Sequence, residues 1–132
     1  MRGRLDQVRD PATAARLSAT RFECGDFAPF LEGCAAGEGD FVFLDPPYDS
    51  PFSTYDGSAF TRDDHRRLAA WMAGTRASWM LVISETPFVR DCYCGLPGAA
   101  VTAFGKTYKG SIKERYSKKA VHLVVTNYGR GA

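Results

Sequence analysis

Phe41-Val42-Phe43-Leu44-Asp45-Pro46-Pro47-Tyr48 joins a short apolar run to a rigid polar stop. Four consecutive apolar residues predict a strand covered on both faces. Two prolines end it, because each removes a backbone donor and fixes φ. Asp45 is thereby expected at the carboxyl end of a strand. Gly37, Glu38 and Gly39 form a turn before this stretch, and residues 48–60, rich in Asp, Ser, Gly and aromatic side chains, form a loop after it. Thr61 with Asp64 makes a capping-box-like start for a helix to about Met72, with Leu68, Trp71 and Met72 on one face. Residues 79–83 read as a second buried strand, ending at Ser84-Glu85-Thr86-Pro87.

Further from the centre, residues 101–104 and 120–125 read as two more strands, joined without an obvious helix and expected to form an antiparallel hairpin at the sheet edge. Upstream, residues 11–18 predict a short helix with proline near its start. Residues 20–24 read as a short strand, and Gly25-Asp26-Phe27 opens a second helix to about Cys34. Strand, helix, strand alternation implies an α/β sheet with right-handed crossovers. Ligands of such sheets bind at the carboxyl ends of strands, where Asp45 and Ser84 both fall.

The chain has 132 residues, of which 45% are apolar and 24% charged, as expected of a globular chain of single-domain length. No run approaches the ~18 apolar residues of a membrane span, and residues 1–20 lack the apolar stretch of a secretory signal. A cytoplasmic location is expected. Cys92 and Cys94 are close, but their spacing, without histidine neighbours, is poor for zinc, so Cys24, Cys34, Cys92 and Cys94 are expected as free thiols and no metal is assigned. His65, in a charged helical stretch, and His122, in an apolar strand, receive no role. The net charge of +2 is unevenly spread. Lys106, Lys109, Lys113, Arg115, Lys118 and Lys119 face Glu114 alone within residues 101–120, whereas residues 1–100 are net acidic. A basic segment on an acidic body suggests a polyanionic partner, or else a solvated lysine-rich loop.

The chemistry of the central stretch suits an exocyclic aromatic amine, whose lone pair is delocalised and weakly nucleophilic. Acceptors on its two hydrogens favour a pyramidal nitrogen aimed at an electrophilic methyl. Asp45 offers a carboxylate, and Pro46 a carbonyl that Pro47 keeps extended. Tyr48 offers a flat face for a base, worth roughly 1–3 kcal/mol in other base–aromatic contacts.

Asp-Pro-Pro-Tyr after an apolar strand resembles the catalytic motif of amino-methyltransferases that use S-adenosylmethionine, and the flanks resemble the Dam-type DNA N6-adenine methyltransferases. Cys24-Gly25-Asp26-Phe27 stands where that family has Cys-x-Asp-Phe. Phe52, Tyr55 and Phe60 match its aromatic spacing, and Leu68 and Ile83-Ser84 match a later helix and strand end. Ser111 to Lys119 matches a basic segment before an apolar strand ending in Asn-Tyr, here Asn127-Tyr128. The likeness covers about residues 20–128. Guanine-N2 RNA methyltransferases carry similar tetrapeptides but resemble Phe52-Ser53-Thr54-Tyr55 less well.

The resemblance implies a Rossmann-like methyltransferase sheet, here its second half with the antiparallel edge hairpin. Residues 20–132 would be the C-terminal catalytic part and residues 1–19 the tail of a target-recognition region or a linker. Asp45, Pro46, Pro47 and Tyr48 would be catalytic, and Asp26, Phe27 and Asp45 would meet the cofactor. Asp26 has helix capping as its alternative. Tyr48, Tyr55, Phe60, Ser84, Lys109, Ser111, Lys113 and Arg115 would contact double-stranded DNA, with core packing the alternative for Phe60 and strand capping for Ser84. The family's Phe-x-Gly-x-Gly loop is absent from the sequence. A fragment of a larger or split enzyme is therefore expected, exposing an apolar sheet edge. A second chain would supply the missing half, or this one would act as a silent DNA-binding or complementing module.

Overall fold

A computed structural model of the chain describes residues 10–49, 54–55, 58–107 and 119–129. It divides into two compact units, Met1–Gly33 and Cys34–Ala132. In the first, helix α1 (Pro11–Ser18) starts where Asp10 accepts the Thr13 amide and Pro11 presets the first helical φ. Helix α2 (Phe27–Cys34) starts similarly, with Asp26 Oδ1 accepting the Ala28 amide at 2.8 Å. The strand expected over residues 20–24 does not form. All five residues are exposed and Phe22 is 72% so, hence extended backbone there would gain neither a ladder partner nor an apolar face.

The second unit carries a four-stranded sheet of mixed α/β type. Strands β1 (Phe41–Leu44), β4 (Ser78–Ser84), β6 (Lys119–Thr126) and β5 (Ala100–Thr107) lie side by side in that order. β1 pairs parallel with β4, while β6 is antiparallel to both β4 and β5. The expected edge hairpin is thus present, and the link between β1 and β4 is the long helix α3 (Arg62–Gly74). That helix opens on a full capping box: Thr61 Oγ1 accepts the Asp64 amide, and Asp64 returns a carboxylate oxygen to the Thr61 amide at 2.8 Å. Within the expected loop, β2 (Thr54–Tyr55) and β3 (Ser58–Ala59) form a minimal antiparallel ladder that the composition did not suggest.

The two sheet faces are unequal. Leu44, Trp79, Leu81, Ile83, Leu123 and Val125 fall on one face by register and are buried. His65, Leu68, Ala69 and Met72 of α3 are buried too, and the Trp79 indole donates to the Met72 carbonyl at 3.1 Å. Trp71 is only half-buried, so the inward stripe is set one position round from the expected one. The other face holds Phe41 and Phe43, which are 56% and 57% exposed. The expectation that β1 is covered on both faces therefore fails. Among the described strands β1 lies at the edge of the sheet, and Leu44 is the one buried residue of its four.

A helical stretch absent from the sequence reading follows β4. Thr86 accepts the Val89 amide and Pro87 takes the first position of a short α turn (Pro87–Val89), which widens into a π turn (Arg90–Cys94). We call this element α4. Val89 and Tyr93 bury its inner face. At the other end of β4, Asn127 clasps the strand: its Oδ1 accepts the Trp79 amide and its Nδ2 donates to the Ala77 carbonyl, both at 2.8 Å.

Candidate active site

The parallel register Leu44↔Leu81 sends Asp45 out at the carboxyl edge of the sheet, beside a β4 that runs on to Ser84. Asp45 is exposed, and Pro46 and Pro47 are half-buried. Fixed by those prolines, the chain brings Tyr48 back onto the sheet. Its hydroxyl lies 3.3 Å from His122 Nε2, and its ring meets the imidazole edge-on at 5.6 Å and 75°. The cross-strand registers Ser84↔His122 and Phe104↔His122 set three side chains abreast on one face. Ser84 Oγ is 3.2 Å from the same Nε2. The Phe104 ring stacks on the imidazole at 5.6 Å and 29°. His122 is only 3% exposed, whereas Tyr48 is 39% exposed.

The residue after the tetrapeptide fastens the loop. Asp49 takes two bonds from Arg62, Nε to Oδ1 at 2.9 Å and Nη2 to Oδ2 at 3.1 Å, and a third from Thr86 Oγ1 at 2.9 Å. The end of the motif is so tied to the first turn of α3 and to the cap of α4. The Arg62 hydrogen bonds hold the Asp49 carboxyl below the usual carboxylate range; partial burial opposes them and the Thr86 hydroxyl adds to them. Arg62 also lies over the Phe88 ring, 4.7 Å from its centroid.

Beneath this clamp His65 is fully buried, its Nδ1 2.7 Å from the Tyr93 hydroxyl. Phe60 and Phe88 close on it edge-on at 4.8 and 5.7 Å. Burial pushes the His65 pKa down and that of the Tyr93 hydroxyl up, so both are neutral near pH 7. The expected pocket residue Phe60 thus makes a packing contact. Burial likewise raises the thiol pKa values of Cys92 and Cys94, so neither is poised as a thiolate nucleophile.

The structure brings Tyr48 and Ser84 together at one carboxyl edge, with Asp45 at the same edge. Asp26 and Phe27 belong to the other unit, where Asp26 caps α2. Tyr55 is described only through its backbone pairing in β2, and Lys109, Ser111, Lys113 and Arg115 lie outside the described residues. Beyond Ser84 an open groove of about 630 Å³, with Glu85, Thr86, Arg90 and Val121 in its walls, is of small-ligand size. Two residues of the site escaped the sequence reading. The only sequence signal for His122 is that it interrupts an apolar strand. Asp49 gave no local signal, because its partners are 13 and 37 positions away.

Comparison with known proteins bears on this edge. A family model described as D12 class N6 adenine-specific DNA methyltransferase matches residues 5–108. The chain is 35% identical over 94 residues to the type II methyltransferase M.CviBI of Paramecium bursaria Chlorella virus NC1A, covering 67% of this chain and 34% of that protein. It is 35% identical over 82 residues to the DNA N-6-adenine-methyltransferase of Escherichia phage P1, covering 56% of this chain and 11% of the relative. With the retron Ec67 DNA adenine methylase of Escherichia coli it shares 34% over 83 residues, 61% of this chain and 28% of the relative. The chain therefore matches between 11% and 34% of the length of these relatives.

Proposed function

The chain belongs to the D12 class N6 adenine-specific DNA methyltransferase family, and from that premise we propose that it transfers a methyl group from S-adenosylmethionine to the N6 amine of adenine in double-stranded DNA. The observation that carries the reading is the exposed Asp45 carboxylate, held at a strand's carboxyl end by two prolines, with the Tyr48 ring anchored nearby. Duplex adenine reaches such a site only when turned out of the stack. Its ring would lie on Tyr48, and its amine would donate to Asp45 and to the Pro46 carbonyl. The N6 lone pair forms the new N–C bond, and the proton leaving nitrogen passes to Asp45 or to solvent. Rigid placement of the acceptors supplies the orientation on which this displacement depends.

The residues fit such a cofactor at its reacting end, since Asp45 is an exposed acceptor complementary to a positively charged sulfur. S-adenosylmethionine supplies there an electrophilic methyl with a neutral thioether as leaving group. On the same reading Phe27 and Asp26, beside its capping bond, would meet the cofactor's adenine. Ser84, Tyr55 and Phe60 would border the target base, and Lys109, Ser111, Lys113 and Arg115 would hold phosphates. The sheet would be the second half of a Rossmann-like methyltransferase core, with residues 20–132 the catalytic part and residues 1–19 a tail of the recognition region. A cytoplasmic setting belongs to this reading; among the described residues no helix is long and apolar enough to cross a membrane.

The product decides the matter. Duplex DNA incubated with the chain and S-adenosylmethionine is digested to nucleosides and resolved by mass spectrometry. N6-methyladenine is expected from the DNA, and a parallel incubation with RNA in which methylation appears only there, on guanine N2, would overturn the reading.

A further inference from the structure

We propose that His122 is a positioning residue for this reaction: through Nε2 it holds the Tyr48 hydroxyl and so fixes the ring on which the target base stacks. The inference rests on the methyl-transfer reading for its purpose, but its geometry stands apart from it. Tyr48 is more than one-third exposed and sits in a loop. A stacking platform gains from a ring whose rotamer is set before the base arrives. The hydroxyl at 3.3 Å from Nε2 provides that restraint at the far end of the side chain.

The imidazole is itself held on three sides. Phe104 stacks on one face, Tyr48 abuts it edge-on, and Ser84 Oγ meets the same nitrogen at 3.2 Å. The Ser84 contact also links the platform to the end of β4 and to the groove beyond it. An apolar side chain at position 122 would continue the run Val121–Val125 without burying a polar ring, which costs free energy unless hydrogen-bonded. The second histidine–tyrosine pair offers a contrast. His65 and Tyr93 are both fully buried and brace the core, whereas the His122 pair ends on a ring open to solvent at the catalytic edge.

The test is a double-mutant cycle on the full chain. His122→Phe keeps the stack on Phe104 but removes both bonds, and Tyr48→Phe keeps the platform but removes one. Each should lower kcat by about three- to tenfold, the range of one ordinary hydrogen bond, with the KM for S-adenosylmethionine within about twofold of the parent. The double variant should be no slower than the slower single variant, because both lose the same bond. Losses that multiply, an unchanged kcat in His122→Phe, or a change confined to KM would overturn the proposal. A second measurement separates it from the function itself. In ¹⁵N-histidine spectra of the chain without substrate, Tyr48→Phe and Ser84→Ala should each move the His122 Nε2 resonance and leave that of His65 in place. A parent chain that transfers no methyl defeats the methyl-transfer reading, and the spectra then decide the positioning alone: an unmoved Nε2 overturns it.

Discussion

Asn127 sits at the far end of β4 from Ser84, and its amide answers two backbone groups that no strand reaches. Ala77 and Trp79 are both fully buried, so an unanswered amide or carbonyl there carries its whole desolvation cost. Asn127→Ala should therefore destabilise the chain by about 1–3 kcal/mol, read as a lower urea midpoint with an unchanged m-value. Asn127→Asp should be no better. Its carboxylate accepts from Trp79 but opposes the Ala77 carbonyl, so a midpoint equal to that of the parent would refute the clasp. Asn127 stood in the sequence only as half of a matching Asn-Tyr pair. Its work is visible once the register of β6 against β4 is known.

Among the elements, α3 couples fold to site, since Arg62 in its first turn grips Asp49 and His65 one turn later lies in the core. Burial lowers the His65 pKa, with Arg62 acting in the same sense and Asp49 and Asp64 opposing. The unfolded chain thus binds this proton before the folded one does. Stability from this group is complete above pH 6.5 and declines as pH falls through 6.5 toward the lower folded value. The urea midpoint should drop between pH 7.5 and 5.5, and His65→Phe should flatten that drop; an equal slope in both would assign the effect elsewhere. Elements with local punctuation were legible in the sequence. Pro11 after Asp10, the Thr61–Asp64 box and the prolines after Leu44 each act within four residues, and the structure places those boundaries as expected. Thr86-Pro87 carries the same kind of signal for α4, but in the sequence it reads equally as the end of a strand. The uncovered face of β1, the missing strand at residues 20–24 and the role of His122 depend on which element lies alongside, which local spacing does not encode.

For the molecule as a whole, the +5 charge of residues 101–120 stands against an acidic remainder. If that segment holds DNA phosphates, neutralising Lys109, Lys113 and Arg115 should weaken binding alike for all sequences. The slope of log K against log salt should become shallower by about 0.9 per lost contact. An unchanged slope with normal circular dichroism would mean that these cations only solvate the hairpin. The central claim concerns Asp45, whose carboxylate is exposed at a strand end, outside the core. Asp45→Ala should therefore leave the thermal midpoint within a few degrees of the parent while methyl transfer to adenine falls by about a hundredfold or more, as for other preorganised groups at a reacting centre. The most direct measurement is the single-turnover rate of tritiated methyl transfer to duplex DNA by parent and Asp45→Ala chains, each first shown to be folded. A loss of at least two orders of magnitude is predicted, and a rate within threefold of the parent would contradict the account.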